Sequence, residues 1–587
     1  MKNFLNILKE KDNYILFYSQ KQDNGESRIL FFSNPINVVE CKRFKDIKDK
    51  LSLLDSFVEK KYFLAGFISY EQGYFFNDLK YNSHLSLPFF YFGIYENMEE
   101  IKKENIIIND DFVVFDLKNN ITFNKYRDNI KKIKHLIKNG EVYQVNYCFK
   151  EKFRFSGSAE SLFFKLCENQ KTKYSFLVKN KNYYILSISP EMFFHIKDKD
   201  ITMKPMKGTL LKSSVGDLNE LKNEKNQAEN IMIVDLIRND LGKICEVNSI
   251  SVPKKFTIEE YETIYQMTST IKGKLKEKIS FSDIFTALFP SGSVTGAPKR
   301  RAMQIIKLLE KEARGVYTGS IGYFSKNEAL FNIAIRTPVI NRKKNTGEMG
   351  IGSGIVFDSD AEKEFKECLG KARFFNSLVT DFKIFESILY KKGKGVFLLD
   401  EHLDRMETAC MYFGFKFNKI KVLEEVVKVT KKIKDFDEYK IRIFVDLHGN
   451  VTTDTEKIIK KQKILKIMIS DENVNSDNIF LRYKTTKREF YDRKLKEAKE
   501  KGFDEVVFFN EKGQLTECAT SNIFILKDGV MYTPPVYCGL LDGALRRTLL
   551  ITQPQKYKEK ILYKEDLINA DKIFICNSVR GIKECKI

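Results

Sequence analysis

Two glutamates, Glu364 and Glu367, stand three residues apart in DAEKEFKECLGKAR, so on a helix they share one face. In AENIMIVDLIRND a second acidic set, Glu229, Asp235 and Asp240 with Arg238, flanks the apolar residues Ile231, Ile233, Val234 and Ile237 on a predicted helix. Charges so near a buried face need partners. Carboxylates from two helices, completed by water and an anionic substrate, are a usual way to hold Mg²⁺, which keeps several waters and takes few protein ligands. Two further segments supply backbone donors. GSVTGAPKRRAMQII, from Gly292, has small residues at a turn and Pro298 at the mouth of a helix, where free N–H groups can meet a carboxylate. MGIGSGIV, Met349 to Val356, places three glycines in a predicted turn before an apolar strand, which lets a substrate approach the backbone closely. Taken singly, each segment has an ordinary structural reading as a solvated helix face, a helix start or a tight hairpin.

Such residues need elements to carry them. Residues 1 to about 115 run through YILFYS, RILFFS and FLAGFISYE, separated by polar turns, a strand pattern with little readable chemistry. Near Tyr126 the period changes. Ile130, Ile133 and Ile137 fall on one face of KYRDNIKKIKHLIKNG, Gly140 stands at the expected C-cap, and the strand-like VYQVNYCF follows. Strands and helices continue to about Asn376, and from FKIFESILYKKGKGVFLLDEHLDRM a new run of hairpin and helix signals begins. The domain boundary is therefore expected near Thr380, giving domains 1–379 and 380–587.

Bulk properties narrow the function classes. A length of 587 residues with 43% hydrophobic content supplies apolar mass for more than one core. No window approaches eighteen consecutive apolar residues, and MKNFLNILKEKDNYILFYSQ is broken by charges before a signal-peptide core could form. A cytoplasmic protein without a membrane partner is expected. The 10 cysteines show no CxxC pair or repeated spacing, which argues against a zinc site and a disulfide framework. The net charge of +21 arises from lysines spread along the whole chain instead of a tail or stripe, which argues against nucleic acid and is compatible with an anionic small substrate.

In chain order, GEVYQVNY, SPEMFF, PMKGT, AENIMIVDLIRND, PSGSVTGAPK, GVYTGSIGY, NIAIRT, GIGSGIV and EKEFKEC resemble the chorismate-utilising family that includes anthranilate synthase component I and aminodeoxychorismate synthase component I. The motifs fall within residues 121–376, and their number and order leave coincidence negligible. The resemblance implies an α+β fold of two lobes with facing antiparallel sheets. It implies Glu229 and Glu367 as Mg²⁺ ligands with Glu364 beside them. Tyr317, Arg336 and Thr295, with the backbone of Gly352, Ser353 and Gly354, would bind the substrate, and Glu191 would be the general acid/base that assists departure of the C4 hydroxyl. KPMKGT bears on the branch, because anthranilate synthases resemble PIAGT, with alanine in place of Lys207. In the aminodeoxychorismate type that lysine is a nucleophile: a neutral amine adds at C2 of chorismate as hydroxyl leaves C4, and ammonia then attacks C4 and expels it. Gln266 stands where anthranilate synthases have histidine. Glutamine hydrolysis would need a cysteine in a G-x-C-x-G turn with a histidine partner. The sequence has no such turn, so ammonia is expected from a separate glutamine amidotransferase subunit.

After Thr380, the segments HLDRM, YKTTKREFYD, DEVVFFNEKGQLTECATSNIFIL, TPPVYCGLLDGALRR and NSVRG resemble fold-type IV pyridoxal-phosphate enzymes, which include aminodeoxychorismate lyase and the branched-chain and D-amino acid aminotransferases. This resemblance implies a second α+β domain, and a homodimer formed through it. Lys484 would hold pyridoxal 5'-phosphate as a Schiff base, Glu517 would pair with the pyridine nitrogen, and Arg405 would bind the phosphate, with Leu541 of the GLLDG turn and Ser578 as further contacts. Lys383-Ile384 precede Phe385-Glu386 where relatives often carry glycine. The motifs do not separate a lyase from a transaminase; the position behind a chorismate-aminating domain favours the lyase. The expected function is 4-aminobenzoate synthesis for folate, with an anthranilate or isochorismate synthase carrying a class IV aminotransferase tail as the alternative.

Overall fold

The computed structural model describes residues 4–20, 28–83, 85–102, 112–211, 224–260, 264–433, 437–458, 464–476 and 478–587. Tertiary contacts divide the chain into two units, Met1–Val379 and Thr380–Ile587.

The first unit is built on two antiparallel sheets. One runs, edge to edge, Gly296–Ala297, Gln144–Gly157, Thr346–Ile355, Pro338–Asn341, Tyr183–Ser189, Tyr174–Lys179, Tyr14–Ser19, Arg28–Ser33 and Glu99–Glu100, with Phe112–Asn119 also paired to Gln144–Gly157. The other runs Met206–Leu211, Ile264–Lys274, Asp200–Met203, Met192–Lys197, Glu328–Ile333, Ser320–Phe324, Phe63–Ile68, Phe90–Tyr95 and Asn37–Cys41, with Ser251–Glu260 on Ile264–Lys274. The N-terminal region, which had no readable chemistry, therefore completes both sheets. YILFYS is buried on both faces, so it reads as a continuous apolar run instead of an alternating one. Its Phe17 meets Tyr323 of the opposite sheet at 6.1 Å between ring centroids, and Phe67 meets Tyr183 edge-on at 5.9 Å. These rings hold the sheets face to face.

Helices cover the outer surfaces. Phe123–Lys138 starts at Thr122, whose side chain accepts from the Lys125 amide, and buries Ile130 and Ile133, with Gly140 in the left-handed region just past its end. In Glu224–Gly242, Ile233, Val234 and Ile237 are buried, but Ile231 points outward, contrary to its expected place on the apolar face. A 3.6-residue period puts Ile231 too far round the helix to share the contact of the other three. Near the end of that helix Asp240 pairs with Lys299 at 2.7 Å, tying it to the helix Lys299–Leu309. Ala361–Lys371 is capped by Asp360, which accepts from the amides of Glu362 and Lys363.

MGIGSGIV is not a turn. Gly350, Gly352 and Gly354 lie inside the strand Thr346–Ile355, paired residue for residue with Gln144–Gly157. A Cβ at these positions would run into the Tyr317 ring, Cys148 and Gln144 respectively. The glycines are required by side chains crossing the strand, and the absence of side chains was misread as a chain reversal.

The second unit is also α+β. A four-stranded antiparallel sheet runs Gly395–Phe397, Ile384–Lys391, Glu438–Val445 and Val451–Lys457. An eight-stranded mixed sheet runs Leu515–Cys518, Glu505–Phe509, Leu465–Ile469, Gly581–Lys586, Lys572–Asn577, Asn522–Lys527, Val530–Thr533 and Tyr557–Glu559. All 10 cysteines of the chain are buried and unpaired. Among the described residues, no helix is long and apolar enough to cross a membrane.

Candidate active sites

In the first unit, Lys207 sits on the strand Met206–Leu211 opposite Met267, while Thr209 lies opposite Gln266. The residue left over between these pairs is Gly208, at φ 73°. A bulge of this kind re-aims its neighbouring side chain. Burial lowers the Lys207 amine below the ordinary lysine range, with Lys371 pushing the same way against the upward pull of Glu229, Glu191 and Glu367. The carboxylates come from three places: the helix Glu224–Gly242, the residue before the strand Met192–Lys197, and the helix Ala361–Lys371. Glu191 is buried, and burial pushes its carboxyl up to about 7, opposed by the Ser293 hydroxyl, Lys207 and Lys371. The Ser293 hydroxyl donates to Glu191 Oε1 at 2.9 Å. A carboxyl in this range can give or take a proton near neutrality. Lys371 Nζ donates to the Gly352 carbonyl at 3.1 Å and pairs with Glu367 at 2.9 Å.

In the second unit, Lys484 follows the turn Ile479–Leu481, and its carbonyl accepts from the Phe385 amide at 3.0 Å, which pins it to the strand Ile384–Lys391. Its Nζ lies 4.8 Å from the centroid of the Phe385 ring. Burial lowers the amine to about 8, assisted by Arg405 and Arg488 and opposed by Glu386 and Glu517. Lys484, Arg405, Glu517, Leu541 and Ser578 line one cavity of about 400 Å³. Glu517 is buried, and burial raises its carboxyl to about 8 even though the Leu541 amide, Asn522 and Tyr491 donate to it at 3.2, 3.1 and 3.4 Å. Arg405, on the helix Leu399–Phe413, donates through Nε and Nη2 to Glu386 at 2.8 and 2.7 Å and through Nη1 to the Asp542 carbonyl at 2.9 Å.

A family model for chorismate binding enzymes matches residues 14–377, more than half of the chain. The chain belongs to the chorismate-binding enzymes. A second model, amino-transferase class IV, matches residues 383–586. Among curated relatives, aminodeoxychorismate synthases align at 35–41% identity and anthranilate synthases at 32–36%. Aminodeoxychorismate synthase component 1 of Escherichia coli is 35% identical over 266 residues, covering 44% of this chain and 58% of its own. Anthranilate synthase component 1 of Saccharolobus solfataricus is 33% identical over 263 residues, covering 44% and 62%. The chain spans less than two thirds of the length of these curated relatives. The crystal structure of anthranilate synthase component I from Streptococcus pneumoniae shares the fold, with a TM-score of 0.52 and 24% identity over 62% of this chain and 91% of that one.

For a chorismate-binding enzyme, several expected residues sit differently from the reading of their motifs. The Thr295 hydroxyl is buried and donates to the Ser291 carbonyl at 2.8 Å, so Ser293, not Thr295, is the member of that turn that reaches Glu191. Tyr317 lines a cavity of about 180 Å³ with Asn129, Tyr147, Cys148, Glu310 and Arg314, a set without Lys207. Ser353 turns its hydroxyl to Tyr126 at 3.4 Å. Arg336 is half-buried at φ 52°, and its carbonyl accepts from the Ile188 amide at 3.1 Å. Glu364 accepts from the Ser359 hydroxyl at 2.8 Å. Among the described residues, no three acidic, histidine or cysteine side chains form a metal cage. Glu229 and Glu367 both act on Lys207, and Glu367 also pairs with Lys371, so the two carboxylates expected to hold Mg²⁺ share their surroundings with two lysines. In the class IV unit, Leu541 lines the cavity, and its amide donates to Glu517 at 3.2 Å. Four residues were missed: Ser293, Lys371, Glu386 and His402. Glu386 had a visible signal, a charge inside the apolar run FKIFESILY.

Proposed function

We propose that the chain makes 4-aminobenzoate in two steps, amination of chorismate at C4 by residues 1–379 and elimination of pyruvate by residues 380–587. The observation that carries the first step is the convergence of Lys207 with Glu191, Glu229 and Glu367. Lys207, lowered toward its neutral form, adds to C2 of chorismate. Glu191 gives its proton to the departing C4 hydroxyl, and ammonia then attacks C4 and displaces the lysine. Glu229 and Glu367 supply two carboxylates, a set that fits Mg²⁺ because the ion would draw its remaining oxygens from water and the substrate carboxylate. That ion would neutralise charge where the substrate carboxylate enters. Lys371, which lies against Lys207 and Glu191, would meet a substrate carboxylate, and Arg336 is the second cation we assign to that role. Gln266, one pair along from Lys207, has a buried side-chain oxygen with no hydrogen-bond partner, an acceptor that substrate can satisfy.

The second cavity fits pyridoxal phosphate. Glu517, raised by burial, gains a counter-charge from a protonated pyridine nitrogen, and Arg405 stands with Ser578 as an anion site. The cofactor supplies an electron sink for the amine-bearing carbon. Lys484, at about 8, takes the proton from that carbon and returns one as pyruvate leaves and the ring becomes aromatic. Ammonia comes from a separate glutaminase subunit, and buried, unpaired cysteines suit a reducing cytoplasm.

Purified chain supplied with chorismate, Mg²⁺, ammonium and pyridoxal phosphate should yield 4-aminobenzoate and pyruvate, and chelation of Mg²⁺ should stop only the first step. Anthranilate as the main product would overturn the reading.

A further inference from the structure

One carboxylate buried behind the Lys484 cavity has no role in the chemistry above. Glu386 is buried inside the strand Ile384–Lys391 and binds two groups at once: Arg405 through both oxygens and His402 Nδ1 through Oε2 at 2.7 Å. On the far side of the ring, His402 Nε2 lies 2.8 Å from the Ser578 hydroxyl. His402 and Ser578 both line the cavity. Resting on the pyridoxal-phosphate reading of this cavity, we propose that Glu386 is a positioning residue for the cofactor's phosphate. It orients Arg405 directly and turns the Ser578 hydroxyl toward the phosphate through a doubly protonated His402.

An arginine has five N–H groups. Three of those on Arg405 are taken, two by Glu386 and one by the Asp542 carbonyl, so the fork is fixed in its plane with two N–H groups left for an anion. Arg405 holds Glu386 well below the usual carboxylate range, with His402 helping, so Glu386 can only accept, and His402 Nδ1 must carry a proton. Nε2 then has two states. Bare, it accepts the single proton of Ser578, whose hydroxyl presents lone pairs to the cavity. Protonated, it donates to Ser578 and frees that hydroxyl proton for a phosphate oxygen. A phosphate dianion therefore selects the second state and should take up a proton as it binds. The charged groups around this relay are Glu386 from its strand, Arg405 from the helix of His402, and, from the other elements of the cavity, Lys484, Glu517 and Asp542. Glu386 and Arg405 offset one another, so the imidazolium adds the charge that a dianion needs.

Pyridoxal, which has the same aldehyde but no phosphate, separates this from every other feature of the site. Binding of both compounds to the full chain is followed by the absorbance change at Lys484 and by calorimetry in buffers of different ionisation enthalpy. The wild type should prefer pyridoxal phosphate and take up more protons with it than with pyridoxal. Glu386→Gln should lose about tenfold or more of that preference, with pyridoxal affinity unchanged. Ser578→Ala should lose less affinity but all of the extra proton uptake, and Glu386→Asp should restore part of the preference. Equal weakening of both compounds in Glu386→Gln, or unchanged proton uptake in Ser578→Ala, would overturn the proposal while leaving the cofactor reading intact. If the wild type binds neither compound, the cofactor reading fails and the relay falls with it. Should Glu386→Gln not fold, the Ser578→Ala comparison decides alone.

Discussion

Lys207 and Lys484 are both half-buried, and burial lowers both amines, yet the balance of charge around them differs. Around Lys207 three glutamates oppose the loss of its proton and a single lysine favours it. Around Lys484 burial brings the amine to about 8, with two arginines favouring that loss against two glutamates. The difference follows from what each cavity must also hold. On the proposed function, the first pocket would hold a divalent cation and give a proton to a departing hydroxyl, tasks that call for carboxylates, so its lysine would have to be neutralised against them. A pocket that binds a phosphate needs guanidinium groups, which make a neutral lysine easier to keep.

The most severe break of this comparison removes the lysines. Lys484→Ala should accumulate aminodeoxychorismate and Lys207→Ala should make none, each lowering 4-aminobenzoate formation by on the order of 10³-fold or more, as read by chromatography of the products. A Lys484→Ala chain that makes 4-aminobenzoate at the normal rate would remove the lyase assignment. Glu191→Gln should slow chorismate consumption by roughly 10² to 10⁴-fold and leave conversion of supplied aminodeoxychorismate unchanged. The pH dependences should run in opposite directions. Glu191 must be protonated to act, so chorismate consumption should fall as pH rises through about 7. Lys484 is reactive when neutral, so its labelling by an amine reagent should rise through about 8 instead of the ordinary 10.5. The smallest effect concerns stability. Lys299→Met leaves Asp240 with only the exposed Lys243 as partner and should destabilise by about 1 to 3 kcal/mol. Calorimetry should show one transition move and the transition of the class IV unit stay, if the two units melt separately.

Local patterns were legible where a single element decides them. The period of Ile130 and Ile133 gave the helix after Thr122, and Gly140 marked its end. Burial on both faces explains why YILFYS could be seen as a strand but not assigned a partner: its neighbours are Arg28–Ser33 and Tyr174–Lys179, the latter more than 150 residues away. The meeting of Glu191, Glu229 and Glu367 around Lys207 is likewise non-local, and no spacing encodes it. Only the resemblance brought those residues together in advance. Spacing alone erred where a feature depends on a facing strand, as with the glycines of MGIGSGIV. Glu386 was visible as a charge in an apolar run, but its partners His402 and Arg405 lie sixteen and nineteen positions along, on another element.

The three strand glycines have a consequence for how such an enzyme can diverge. Wherever the backbone itself is the surface, mutation has no vocabulary: Gly350, Gly352 and Gly354 can only become larger, and each enlargement collides with Tyr317, Cys148 or Gln144. A change of product must then be written in positions that do carry side chains, and Lys207, on a strand of the facing sheet, is such a position.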